Sequence, residues 1–195
     1  GAGSVLNGLR PEEGASFAVF GTGSVGLSAL MAAKVAGCGT IIAVDLNADR
    51  LALAKELGAT HTVNPNDGDA VKQVREITGL GVDYSLECTG NPQVIRQAID
   101  VLGPRGTCGW VGLAPIGSEV SFDSNVAMNK GVTIKGLIEG ESQIDEFIPQ
   151  LIDLYMSGKF PIERLIRFYD FDQINEAEKD HGSGVTIKAI LRMPE

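Results

Sequence analysis

Residues Phe17 to Asp45 constrain this chain more than any other stretch. An apolar run, Phe17-Ala18-Val19-Phe20, meets a glycine turn, Gly21-Thr22-Gly23-Ser24-Val25-Gly26. The turn opens an apolar helical run that ends at Ala36-Gly37, and a second apolar run, Ile41-Ile42-Ala43-Val44, closes on Asp45. Strand, glycine turn, helix, strand and terminal carboxylate stand in the order and spacing of a dinucleotide-binding βαβ unit.

Each part has a physical reason. A side chain at Gly21 or Gly23 would block the turn or hold a pyrophosphate away from the backbone N–H groups. Gly26 sits one helical turn on and lets helix and sheet approach. The helix starting near Ser24 offers unpaired N–H groups and a partial positive charge to the phosphates. Asp45 can accept both ribose hydroxyls of an adenosine. It also favours NAD over NADP, because it repels a 2′-phosphate by roughly 1 kcal/mol or more. Arg50, in the first turn of the next helix, is unfavourable for the helix dipole. It is either a solvated-face residue or a contact to ribose or adenine.

The remaining chain supplies further strand–crossover units. Asn47 caps a helix through Leu57, which Gly58 stops, and His61 to Asn64 form a short third strand. Asp69 to Ile77 is a helix, and Val82 to Gly90 a fourth strand lying beside the first. Asn91-Pro92 opens a helix over 92–102, and Gly103 to Gly106 is a turn. Thr107 to Leu113 is a fifth strand, in which Gly109 and Gly112 predict close approach of a ligand or another backbone. Ser118 to Phe122 reads as a short edge strand, Asn125 to Asn129 as a loop or turn, and Val132 to Ile138 as a sixth strand. The expectation is an α/β fold: a doubly wound, six-stranded parallel Rossmann sheet of order 3-2-1-4-5-6 with helices on both faces.

The ends read differently. Residues 4–9 look like the end of a helix, and Arg10 to Gly14 a turn. Glu141 to Met156 is an amphipathic helix whose apolar face is Ile144, Phe147, Ile148, Leu151, Ile152 and Tyr155. Leu165 to Tyr169 is strand-like, Asp170 caps a helix through Lys179, His181 to Gly184 turns, and Val185 to Leu191 is a terminal strand. With the first sheet complete, these strands predict a second sheet, one whose Ile187, Ile190 and Leu191 leave an open apolar edge.

Composition excludes several classes. A net charge of −9 with no basic patch argues against nucleic acid or an anionic membrane surface. No stretch reads as a membrane span or a signal peptide. Cys38, Cys88 and Cys108 are an odd number, far apart and in or beside apolar runs. They predict free thiols in a reducing compartment, hence a cytoplasmic protein. His61 and His181 have no zinc-ligand spacing with them.

Several motifs carry a family resemblance along essentially the whole chain. They are Gly21 to Gly26, Val44-Asp45, Lys55-Glu56-Leu57-Gly58-Ala59-Thr60, Glu87-Cys88-Thr89-Gly90-Asn91 and Ser183-Gly184-Val185-Thr186-Ile187-Lys188. Together they resemble the zinc-dependent, medium-chain alcohol dehydrogenases, and most closely the bacterial aryl-alcohol (benzyl-alcohol) branch. The resemblance implies hydride transfer between a primary, aromatic alcohol and NAD, giving the aldehyde. It implies a coenzyme domain at residues 11–138 inserted into a catalytic domain, to which residues 1–10 and 139–195 belong. The opening Gly1-Ala2-Gly3 then stands just past the last zinc cysteine. On this reading the zinc ligands and proton relay lie upstream, and the chain alone has no turnover.

The resemblance also implies roles. Gly21, Gly23, Ser24, Val25 and Gly26 form the pyrophosphate turn, Asp45 and Arg50 hold the adenosine ribose, and Cys88 and Thr89 line the adenosine side. Val111 and Leu113 flank the nicotinamide, while Leu137 and Glu139 approach its end. Glu139 departs from an aromatic residue of the animal enzymes. Lys188 stands where the family has a pyrophosphate-contacting arginine, and keeps the charge without the planar fork. A homodimer through the sixth strand is implied, with a tetramer left open. Two rivals share these residues: a zinc-free quinone or enoyl reductase, against which Asp45 speaks, and a non-catalytic dinucleotide-binding domain.

Overall fold

The structure, a computed structural model, describes residues 1–194, so the last residue of the expected 139–195 segment lies outside the described residues. Six parallel strands form the main sheet: β1 (Ser16–Phe20), β2 (Thr40–Val44), β3 (His61–Val63), β4 (Val82–Glu87), β5 (Leu102–Trp110) and β6 (Thr133–Gly136). Their order is β3-β2-β1-β4-β5-β6, as the strand–crossover reading predicts. Helices α1 (Ser24–Val35), α2 (Ala48–Leu57), α3 (Ala70–Thr78) and α4 (Pro92–Asp100) connect them.

Both faces of the sheet are covered, and side-chain alternation shows how. Phe17, Val19, Ile41 and Ala43 pack with Leu27, Leu30, Met31 and Leu51, on the side of α1 and α2. Ala18, Phe20, Ile42 and Val44 pack with Val74, Ile95 and Ile99, on the side of α3 and α4. Consecutive strand residues point to opposite faces, so continuous apolar runs are what a doubly covered strand needs. The predicted caps at Asn47 and Asn91 are in place: Asn47 accepts from Asp49 and Arg50 N–H, and Asn91 from Gln93 N–H. Asp69, expected inside its helix, is its cap and accepts from Lys72 N–H. Gly37 takes a left-handed φ of 83° after α1.

Five expectations along β4 to β6 need correction. The turn expected at Gly103 to Gly106 is a bulge inside β5, where pairing with β4 jumps from Val82↔Leu102 to Tyr84↔Thr107. β5 then ends at Trp110 rather than Leu113, because the N–H groups of Val111 and Gly112 both bond the Glu87 carbonyl and bend the chain inward. Ser118 to Phe122 is not a strand: Arg96 Nη1 donates to the Ser121 carbonyl at 2.6 Å, and β6 occupies the edge. Asn125 to Asn129 lies in a helix, α5 (Ser124–Lys130), capped by Asp123. The sixth strand is shorter than 132–138, spanning only Thr133–Gly136.

The ends carry a smaller unit. Ser4–Leu9 is a π-helical turn, and a short helical turn at Glu139–Glu141 precedes α6 (Ile144–Met156). The expected apolar face of α6 is split. Phe147 is buried and Leu151 packs on the core, whereas Ile144, Ile148 and Ile152 are more than half exposed. Strand β7 (Ile166–Asp170), helix α7 (Ile174–Gly182) and strand β8 (Lys188–Arg192) follow. The two strands pair in parallel with each other as a separate two-stranded sheet. Thus α7 continues past Lys179 and takes in His181 and Gly182, and β8 begins at Lys188 rather than Val185. Tyr169 ties the unit together. Its hydroxyl donates to Asp180 Oδ2 at 2.9 Å and lies 2.6 Å from Thr186 Oγ1.

Candidate functional site

The glycine turn sits where β1 delivers the chain to α1. Gly21 takes a φ of 88°, and its N–H bonds the Val44 carbonyl at 2.9 Å. A Cβ on Gly26 would stand 1.8 Å from the Gly21 carbonyl oxygen, so helix and turn touch backbone to backbone there. A Cβ on Gly23 would meet nothing within 4 Å: the space above the turn is open. Gly23 is also the N-cap of α1 and no side chain caps the helix, which leaves its first N–H groups without protein partners from a cap.

Asp45 lies at the carboxyl end of β2, beside this turn. Its Oδ2 accepts from Thr22 N–H at 2.6 Å and from Thr22 Oγ1 at 2.8 Å, and its Oδ1 accepts from Asn47 N–H at 2.9 Å. Turn and carboxylate line one cavity of about 480 Å³, together with Arg50, Cys88 and Thr89. Arg50 Nε is buried and has no hydrogen-bond partner among the described residues. Its guanidinium packs on Gly184, where Nη2 is 3.2 Å from the place a Cβ would occupy. Of the sequence-predicted set, Gly21, Gly23, Ser24, Val25, Gly26, Asp45, Arg50, Cys88 and Thr89 all come together here.

A second cavity, of about 660 Å³, adjoins the first through Val25 and Cys88. It collects the rest of the predicted nicotinamide group: Val111, Leu113, Leu137 and Glu139, facing Phe147 and Phe160. Glu139 has a left-handed φ of 50°, next to Gly140 at 62° and Glu141 at 49°. Lys135 pairs with Glu141 at 2.8 Å and helps hold this bend. Lys188 is the exception. It borders neither cavity but a shallow cleft beside Ser24, Val25 and Ser28.

Two residues that build the site escape the motif. Thr22 is fully buried and spends both of its donors on Asp45. Glu87, also fully buried, ends β4 and holds the next turn: it accepts from Thr89 N–H at 2.6 Å, from Gly90 N–H at 3.1 Å and from the Thr89 hydroxyl. Gly112 packs against that turn, with its Cβ position 2.1 Å from Gly90 N, which is the close backbone approach its place in an apolar run predicts. The sequence signal for Glu87 is a carboxylate at the buried end of β4, directly after Ser85 and Leu86. For Thr22, between two glycines, there is none. The α7–β8 segment adds His181 and Ile187 to the wall of the first cavity, and His181 lies apart from His61, which bonds Thr60 instead.

Burial pushes the Cys88 thiol up to about 12, and the Glu87 charge adds to the effect. Cys88 is therefore a neutral, apolar surface between the two cavities at physiological pH. Among the described residues no group of three or more His, Cys, Asp or Glu side chains is arranged to hold a metal ion. No helix among them is long and apolar enough to cross a membrane.

Six parallel strands in this order, a glycine turn feeding a long helix and a carboxylate closing the neighbouring strand define a Rossmann-like domain. The zinc-binding dehydrogenase family matches residues 24–157, and the chain belongs to that family. Geraniol dehydrogenase of Castellaniella defragrans is 43% identical over 192 residues, covering 98% of this chain and 52% of that protein. The crystal structure of an alcohol dehydrogenase zinc-binding domain protein from Burkholderia ambifaria matches at 54% identity and a TM-score of 0.98, covering 100% of this chain and 52% of that one. Benzyl alcohol dehydrogenase from Acinetobacter calcoaceticus matches at 46% identity and a TM-score of 0.97, covering 100% and 54%. This chain thus spans about half the length of the relatives it matches.

Proposed function

We propose that this chain is the coenzyme-binding portion of an NAD-dependent, zinc-type alcohol dehydrogenase that interconverts a primary alcohol, aromatic by preference, and its aldehyde. One observation carries the reading: the Asp45 carboxylate shares one cavity with the open, uncapped amino end of α1. An anionic pyrophosphate suits the helix terminus, and a ribose hydroxyl suits a fixed carboxylate. The orphaned Arg50 Nε adds a donor at the same place. NAD, when bound, supplies the hydride acceptor. The chain's own residues bind and orient it. The N–H groups of Ser24 and Val25 receive the phosphates, Asp45 and Arg50 hold the ribose, and Cys88 and Thr89 pack beside the adenosine side.

In this reading Val111, Leu113, Leu137 and Glu139 form the nicotinamide end in the second cavity, and Lys188 attracts the pyrophosphate from the rim. Residues 11–138 are the coenzyme domain, and residues 1–10 and 139–195 belong to a second, catalytic domain. The relatives named for geraniol and benzyl alcohol support the alcohol chemistry. Zinc finds no ligand set among the described residues and has no step here; the intact enzyme holds it with residues outside this chain. Three free thiols support a cytoplasmic setting. The edge strand β6, with exposed Ile138 two residues past its end, supports a homodimer, which sedimentation equilibrium tests.

The experiment is a calorimetric titration of NAD and NADP into the chain and its Asp45→Ser variant. NAD binds the parent more tightly than NADP, and the variant loses NAD affinity and most of the preference. Equal affinity of parent and variant for both cofactors overturns the assignment.

A further inference from the structure

We propose that Thr22 is the residue that makes Asp45 selective, by preventing the carboxylate from turning away from a 2′-phosphate. The inference deepens the proposed cofactor site and rests on it. A surface aspartate excludes a second anion poorly, because it can rotate into solvent and let the anion pass. Asp45 is held instead. Thr22 Oγ1 and Thr22 N–H both reach Oδ2, at 2.8 and 2.6 Å, and Asn47 N–H reaches Oδ1 at 2.9 Å.

The number of acceptor sites gives the consequence. An ionised carboxylate offers about four lone-pair sites. Oδ2 has both of its sites filled by Thr22, and Oδ1 has one filled by Asn47. One site is left, on Oδ1, so Asp45 accepts one ribose hydroxyl rather than the two expected from the sequence. A 2′-hydroxyl can donate there, whereas a 2′-phosphate has no proton to offer and meets a fixed negative charge. To admit the phosphate, Asp45 must break its bonds to Thr22. Thr22 is fully buried, so water does not replace them. Thr22 therefore acts through Asp45, as a positioning residue, and touches the cofactor only through the turn it belongs to.

Thr22→Val tests this: it keeps the shape and the backbone N–H and removes only the hydroxyl. NAD affinity should fall several-fold and NADP affinity hold or rise. The NAD-to-NADP ratio should fall about tenfold, as expected for the loss of one hydrogen bond to a charged group. Thr22→Ser restores the hydroxyl and should restore the ratio. If the valine variant does not fold, as judged by circular dichroism, Thr22→Ala carries the same expectation. Parallel weakening of both cofactors with an unchanged ratio, or a serine variant no better than valine, overturns the proposal and leaves the cofactor site standing. A parent chain that binds neither nucleotide removes the site and the proposal together.

Discussion

Replacing Glu87 by leucine separates a structural carboxylate from a decorative one. Glu87 is fully buried, yet each of its oxygens has a partner: Thr89 N–H at 2.6 Å, the Thr89 hydroxyl, and Gly90 N–H at 3.1 Å from both Oε1 and Oε2. Leucine fills similar space and accepts nothing. Thr89 is exposed and recovers a water, but Gly90 is buried and its N–H is left without a partner. An orphaned buried donor costs about 1–3 kcal/mol and a hydrogen bond to a charged group about 1.5–3 kcal/mol, against which the burial cost of the charge itself is relieved. The net expectation is a loss of about 3 kcal/mol for Glu87→Leu. For Glu87→Gln, which keeps one acceptor oxygen, it is about 1 kcal/mol. Urea unfolding followed by Trp110 fluorescence reads this directly, because Trp110 is the register partner of Glu87 on β5 and the chain's one tryptophan. A leucine variant within about 0.5 kcal/mol of the parent, or a glutamine variant as damaged as leucine, refutes the reasoning. Since Thr89 and Cys88 line the first cavity, the leucine variant should also bind NAD more weakly than its stability loss alone explains.

Two further outcomes follow from the same structure. Gly26→Ala places a Cβ 1.8 Å from a backbone oxygen that cannot move without opening the turn, so thermal unfolding should show a loss above about 3 kcal/mol and cofactor binding should disappear. Burial pushes the Cys108 thiol from 9.0 up to about 11, and the Cys88 thiol up to about 12. The folded state keeps these protons while the unfolded state releases them. Stability is therefore intact below pH 9 and falls as pH rises from 9 toward 11, by about 1 kcal/mol per thiol at pH 10. Unfolding midpoints at pH 7.5 and 10 check this, and Cys108→Ala should reduce the loss.

What the sequence reveals and what it hides follow from how each element is stabilised. Strands β1 and β2 are legible because both of their faces are covered, so every residue after the opening Ser16 and Thr40 is apolar and buried. The turn after β1 is legible because the left-handed φ at Gly21 and the backbone contact at Gly26 both call for glycine. Helix α5 is hidden: none of its seven residues is buried, so it has no apolar periodicity to read. The edge strand expected at Ser118 to Phe122 fails for the converse reason, since brief alternation resembles a strand even where Arg96 holds the segment as a loop. The pairing of β7 with β8 depends on residues about twenty apart meeting through Tyr169, Asp180 and Thr186, a contact that no local pattern announces. At the site, the glycines and Asp45 belong to a spacing rule, whereas Thr22 and Glu87 act through hydrogen bonds that appear only once the chain is folded.

The most direct measurement is a crystal structure of the chain with NAD at millimolar concentration. The phosphates should lie over the N–H groups of Ser24 and Val25, with the adenosine ribose on Asp45 Oδ1 and the nicotinamide reaching past Val25 and Cys88 into the second cavity. An ordered nucleotide bound elsewhere, or well-folded crystals that take up none, would contradict it.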